Sequence, residues 1–99
     1  MTELTSRQRA FLRSRAHALK PILQIGAGGL TPAVLDAVRD AFNQRELLKV
    51  KVLESAPEGA RDVGAALTAA LENVHVAQTI GRTVVLYRPF PKDPEIVLP

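Results

Sequence analysis

The sequence predicts an α/β fold: a compact α-β-α-β-α-β-β single domain whose four-stranded mixed sheet is covered by helices. Three observations carry that expectation. Each of three segments opens on a helix-start signal and continues with apolar residues at helical spacing. Four short runs rich in Val, Ile, Leu and Thr lie between and after those segments. The last two runs are joined by Gly81-Arg82, a two-residue hairpin turn with glycine in its first position. At 99 residues the chain is one domain's length, long enough to bury a core without staples.

The first helix starts near Thr5, where Thr5 and Gln8 form a capping box, and runs to Ala18 or Leu19. Lys20-Pro21 ends it, because the residue before a proline is driven out of the helical region. At about 100° per residue, Phe11, Leu12, Ala16, Ala18 and Leu19 share one side. Arg9, Arg13, His17 and Lys20 share the other. Ile22–Ile25 is a short strand, followed by the tight loop Gly26-Ala27-Gly28-Gly29. A second helix takes Thr31 as its N-cap and Pro32 at its first position, with Val34, Leu35, Val38, Ala41 and Phe42 inward. Leu47–Leu53 is a strand with Lys49 and Lys51 on one face and Leu48, Val50 and Val52 on the other. Ser55 and Glu58 read as a second capping box, placing a third helix from there to about Glu72. Its small residues, Gly64, Ala65, Ala66, Ala69 and Ala70, suit close packing on a sheet. Strands at Val74–Ile80 and Thr83–Tyr87 follow. Residues 89–99 hold Pro89, Pro91, Pro94 and Pro99 and are expected to run extended over the surface.

Composition excludes several function classes. There is no cysteine, hence no disulfide, thiolate metal site or cysteine nucleophile, and the chain suits a reducing compartment. No apolar run reaches membrane-spanning length, and Met1–Thr5 carries no basic start followed by an apolar stretch. A cytoplasmic protein is expected. The two histidines, His17 and His75, are far apart, and the carboxylates are scattered. No nucleophile–base arrangement or metal-ligand spacing is visible, so neither an enzyme nor a cofactor, metal or small-molecule substrate is expected.

Charge is more informative. Residues 1–52 carry nine basic and four acidic side chains, a net +5; the remainder carries four and six, a net −2. A basic half is the electrostatic footprint of a nucleic-acid partner. Like charges at steps of four repel, so helix stability does not account for the Arg9–Arg13–His17 stripe, whereas an anionic partner does. The glycine loop lets backbone amides approach a phosphate without a Cβ in the way, next to a helix N-terminus that favours anions. It also reads as a plain strand-to-helix turn. Lys49 and Lys51 are phosphate contacts or the solvent face of an edge strand. Arg82, in the hairpin, and Arg88, after the last strand, complete the candidate set. With four aromatic residues in the chain, phosphate contacts rather than base stacking dominate any such interface.

Several segments together resemble a known family. They are Leu19-Lys20-Pro21, Gln24-Ile25-Gly26-x-x-Gly29-Leu30-Thr31, Arg45-Glu46-Leu47-x-Lys49-Val50, Ile80-Gly81-Arg82 and Leu86-Tyr87-Arg88. In this order and spacing they look like the YhbY-like CRM domain (chloroplast RNA splicing and ribosome maturation), from about Leu4 to Arg88. The resemblance implies an RNA-binding domain over residues 1–88, with 89–99 a proline-rich tail. It implies a fold similar to the C-terminal domain of translation initiation factor three. It also implies a role in ribosome biogenesis: stand-alone bacterial members are associated with precursors of the large ribosomal subunit and its RNA, and plant relatives with group II intron splicing. The family's RNA-contacting elements map to Gly26, Ala27, Gly28 and Gly29, to Lys20 and to the arginines of the first helix. Family loops usually carry a lysine after the first glycine, where this chain has Ala27. A second reading stays open beside RNA binding: a ribosome-associated protein-interaction adaptor with little direct contact to RNA.

Overall fold

The structure is a computed structural model and describes residues 3–99; Met1 and Thr2, the first two residues of the Met1–Thr5 start, lie outside the described residues. Seven elements follow in the expected order: α1 (Ser6–Ala16), β1 (Leu23–Ile25), α2 (Pro32–Ala41), β2 (Leu47–Val52), α3 (Ala60–Ala70), β3 (His75–Ile80) and β4 (Thr83–Tyr87). The strands form one mixed sheet in the order β1-β2-β4-β3. β1 pairs parallel with β2, while β4 is antiparallel to both β2 and β3. β2 and β3 therefore run parallel, and the β2-α3-β3 crossover leaves between them the place that β4 fills.

Local chemistry explains most boundaries. Thr5 Oγ1 accepts from Gln8 N–H and Gln8 Oε1 accepts from Thr5 N–H, so the first capping box forms. α1 nevertheless ends at Ala16, earlier than proline sterics alone require. A turn follows in which Leu19 N–H donates to Ala16 O, and Lys49 Nζ donates to Leu19 O at 3.0 Å. Thr31 caps α2 through Val34 N–H as its sequence implies.

The expected start of the third helix needs correcting. Ser55 and Glu58 form no capping box; the N-cap is Gly59, without a side-chain cap. Leu53–Glu58 is instead a turn that packs Ala56 on the core and sets the Pro57 ring against Gly29. The helix-stop expectation moves likewise, from Glu72 to Ala70. Of the small residues in α3, Gly64 makes the close approach: a Cβ there would meet Val76 Cγ2 at 3.1 Å and Val84 Cγ1 at 3.3 Å. Ala65, Ala69 and Ala70 are exposed.

The sheet's two faces differ. Leu48, Val50, Val52, Val84 and Leu86 pack against α2 and α3 through Val38, Phe42, Val63, Leu67 and Leu71, forming the main core. On the opposite face, Leu47, Ala77, Val85 and Tyr87 pack on Leu12 and Ala16 of α1. β2 is interior to the sheet, so the edge-strand reading of Lys49 and Lys51 does not hold. Among the described residues, no helix is long and apolar enough to cross a membrane.

Candidate nucleic-acid interface

The Gly26–Gly29 loop leaves the end of β1 and returns at once into α2. Gly29 N–H donates to Gly26 O at 2.9 Å and Thr31 N–H donates to Gly29 O at 3.1 Å. No carbonyl among the described residues takes the N–H of Ala27 or Gly28, and both residues are exposed. Those two amides at the loop tip, next to the α2 N-terminus, are the groups that suit an anion. Gly29 is different. It is buried with φ +66°, and a Cβ on it would sit 3.0 Å from Pro57 Cγ. Its glycine is demanded by the turn and by Pro57, not by an approaching ligand.

α1 crosses the second sheet face obliquely to the strands, from β3 toward β2. Its Gln8, Phe11, Arg15 and Leu19 look toward the strand end where β2 begins. There Phe11 and Leu19 pack with Ile96 and Leu98, Gln8 Nε2 donates to Pro99 O, and the Arg15 guanidinium lies 5.6 Å from the centre of the Phe11 ring. Helical periodicity then turns Arg13 and His17 to the other flank, toward the strand ends that carry the glycine loop. Arg9 lies over the β3 edge, beside Glu3, Leu4, Thr68 and His75, at the end of the sheet where His75 pairs with Tyr87, so it is set apart from the glycine loop at the opposite end. Arg9, Arg13, His17 and Lys20 are all exposed. None of the three arginine and lysine side chains among them enters an ion pair with a described residue. Lys20 sits in the turn that leads into β1.

Beyond α1 one row of this face stays uncovered. Gln24, Lys51 and Thr83 stand in register on β1, β2 and β4, and Ile80 continues the row on β3. Gln24 and Lys51 are exposed and Ile80 is 52 % exposed. Arg82, in the adjoining hairpin, donates to Glu54 Oε1 at 2.9 Å. The carboxylates near the loop, Glu54 and Glu58, lie on its α3 side, lining a cleft with Pro57 and Arg82. Apart from Arg82, the candidate basic groups Arg13, His17 and Lys20 belong to α1 and the turn after it.

Two further sequence candidates are placed elsewhere. Lys49 is half-buried and its ammonium is used on Leu19 O, which ties α1 to the sheet. Arg88 is at the opposite end of the sheet from the glycine loop, beside Arg39, Asn43 and Glu72. Tyr87 is 2 % exposed; burial and the neighbouring Glu46 carboxylate push its phenol above the ordinary value. His75 is half-buried on β3, and burial lowers its imidazole below 6.5.

One element gave no sequence signal as a special residue. Glu46 is 3 % exposed and is the buried charged side chain of the described residues. Its Oε2 accepts from Phe90 N–H at 2.7 Å and its Oε1 from Glu95 and Ile96 N–H at 2.8 and 2.7 Å. The carboxylate thereby folds the proline-rich tail back onto α1.

Comparison with known proteins places the chain in a family. A family model described as the CRS1 / YhbY (CRM) domain matches residues 4–88. The chain belongs to the CRM family. It is 42 % identical over 96 residues to the Probable RNA-binding protein YqeI of Bacillus subtilis, covering 97 % of this chain and 99 % of that one. It is 39 % identical over 99 residues to a Haemophilus influenzae protein named RNA-binding protein, covering 100 % and 98 %. The solution structure of the hypothetical protein SAV1595 from Staphylococcus aureus superposes with a TM-score of 0.80 at 36 % identity, covering 97 % and 99 % of the two chains. The CRM assignment thus spans every helix and strand described above.

Proposed function

We propose that this CRM protein binds RNA, holding its phosphates with the Ala27 and Gly28 amides and with Arg13, His17 and Lys20, with Lys51 beside them on the open sheet row and Arg9 a more distant cation on the same helix. The carrying observation is the separation of charge around the glycine loop. Unpaired basic side chains and free amides lie on its α1 side, and Glu54 and Glu58 lie on its α3 side. An anion approaching the loop is therefore steered across α1. The names of the relatives support the same partner class. Arg82 belongs to the rim, with part of its charge held by Glu54. Lys49 and Arg88 are left out of the surface for the reasons of geometry given above. We further propose that the RNA is a precursor of the large ribosomal subunit and that the protein acts non-enzymatically in its maturation in the cytoplasm, as its resemblance to stand-alone bacterial CRM proteins implies.

The test is a titration of a structured large-subunit RNA fragment at several salt concentrations. Wild-type affinity should fall steeply with salt, since each phosphate neutralised contributes about 0.7–0.9 to the slope of log K against log salt. Reversing both Arg9 and Arg13 to Glu should abolish binding with little change in melting temperature, since both are exposed. Undiminished affinity in that double variant would reject the surface. An adaptor that docks on ribosomal protein, the competing reading favoured by Ala27, would instead bind ribosomal particles with little salt dependence.

A further inference from the structure

The uncovered row on the α1 side of the sheet has a chemistry distinct from the basic flank above it. Gln24, Lys51, Thr83 and Ile80 stand side by side on four consecutive strands. At about 4.8 Å per strand spacing the row is roughly 14 Å long. None of the four is a carboxylate. Gln24 offers both a donor and an acceptor, Thr83 a hydroxyl that does either, and Lys51 a donor with no ion-pair partner among the described residues. Ile80 is, with Val97 of the tail, one of two large apolar side chains that the described residues leave exposed.

A row of mixed hydrogen-bonding groups ending in an apolar platform is unsuited to phosphate alone. It suits the edges and faces of bases. α1 rises from the same face, about 10 Å thick, so the row is recessed beneath the basic flank. A duplex keeps its base edges paired and its width outside such a recess, whereas an unpaired strand can turn its bases into it.

We propose that this row receives the bases of a single-stranded RNA segment whose phosphates follow Arg13 and the Ala27–Gly28 amides. The proposal rests on the RNA-binding reading and specifies which form of RNA the site takes. Charge complementarity sets the strand's course, with the cations on the α1 side and Glu54 and Glu58 beyond the loop.

The experiment uses the full chain and one short mixed-sequence RNA, fluorescently labelled, either single-stranded or annealed to its complement. Wild-type protein should prefer the single strand by about tenfold or more. Gln24→Ala and Ile80→Thr, both at exposed positions, should each weaken single-strand binding by about fivefold, the size expected for one lost hydrogen bond or one lost apolar contact. Neither should change duplex binding or the melting temperature; Thr keeps the β-branching of Ile at position 80. Equal affinity for the two RNAs, or single-strand affinity unchanged in both variants, would overturn the proposal. If Arg9→Glu with Arg13→Glu loses RNA while Gln24→Ala and Ile80→Thr do not, the RNA-binding reading stands and this one falls. If wild-type protein binds neither RNA, both fall.

Discussion

The two faces of the sheet are built from the same strands and do different things. The face under α2 and α3 is closed: Leu48, Val50, Val84 and Leu86 alternate with residues of the other face and are almost wholly removed from water. The face under α1 is closed over Leu47, Ala77, Val85 and Tyr87, and the row nearest the glycine loop, Gln24, Lys51, Thr83 and Ile80, is largely polar and more open. One strand shows both regimes. In β2 the α2–α3 side reads Leu48, Val50, Val52, and the other side reads Leu47, Lys49, Lys51 in rising exposure. Stability is concentrated on the first face, so the second can carry basic and hydrogen-bonding groups at modest cost to the fold.

That contrast makes truncations unequal. Phe42→Ala, in the closed core, should cost about 3–5 kcal/mol in chemical denaturation. Leu35→Ala, on the same helix but half-buried, should cost clearly less. Equal losses at the two positions would mean that α2 packs differently from the arrangement described.

Glu46→Ala probes the border between the faces. Removing the carboxylate strips three backbone N–H groups of their acceptor, and the expected loss is about 1–3 kcal/mol, limited by release of the tail into water. Amide hydrogens of Phe90, Glu95 and Ile96 should then exchange rapidly while those of β2 and β4 stay protected. Unchanged protection in the tail would show that Ile96 and Leu98 hold it without Glu46.

At the open side the effects should be on binding, not stability. Ala27→Lys adds a cation at an exposed loop tip and should raise RNA affinity, steepening the salt slope by about 0.7–0.9. It should leave the melting curve in place. Unchanged affinity and slope would reduce the glycine loop to a strand-to-helix turn.

The smallest expected effect is a pH dependence from His75. Its folded imidazole titrates below 6.5, so between that lower value and about 6.5 the unfolded chain binds the extra proton. Stability should be intact above about pH 7 and decline as pH falls through this window. His75→Gln should flatten that part of the curve, and an unchanged curve would assign the decline to other groups.

Element order, the Thr5 and Thr31 caps and the Gly81-Arg82 hairpin were legible in the sequence because each rests on neighbours within a few residues. Gly81 does take φ +54°, as the turn requires. What depends on distant partners was not legible. Ser55-Ala-Pro-Glu58 has the spacing of a capping box, yet Pro57 is needed against Gly29, and the helix begins at Gly59 instead. The insertion of β4 between β2 and β3 is a choice of pairing that strand patterns alone do not specify. Lys49 and Lys51 look equivalent by alternation, and only the arrival of Leu19 O over Lys49 separates them. Glu46 reads as an ordinary charged residue because its three donors come from residues 90–96. Of the candidate site, the basic stripe and the loop were visible one by one. Their common side of the sheet required α1 to be placed across it.

The claim that RNA uses the α1 face is tested most directly by mapping backbone amide resonances of isotope-labelled protein as RNA is added. The account predicts shifts concentrated at Arg13, His17, Gln24, Ala27, Gly28, Lys51 and Ile80, with the exposed surfaces of α2 and α3 unmoved. Shifts concentrated on Asp36, Arg39, Arg61 and Ala65, on the outer surfaces of α2 and α3, would contradict it.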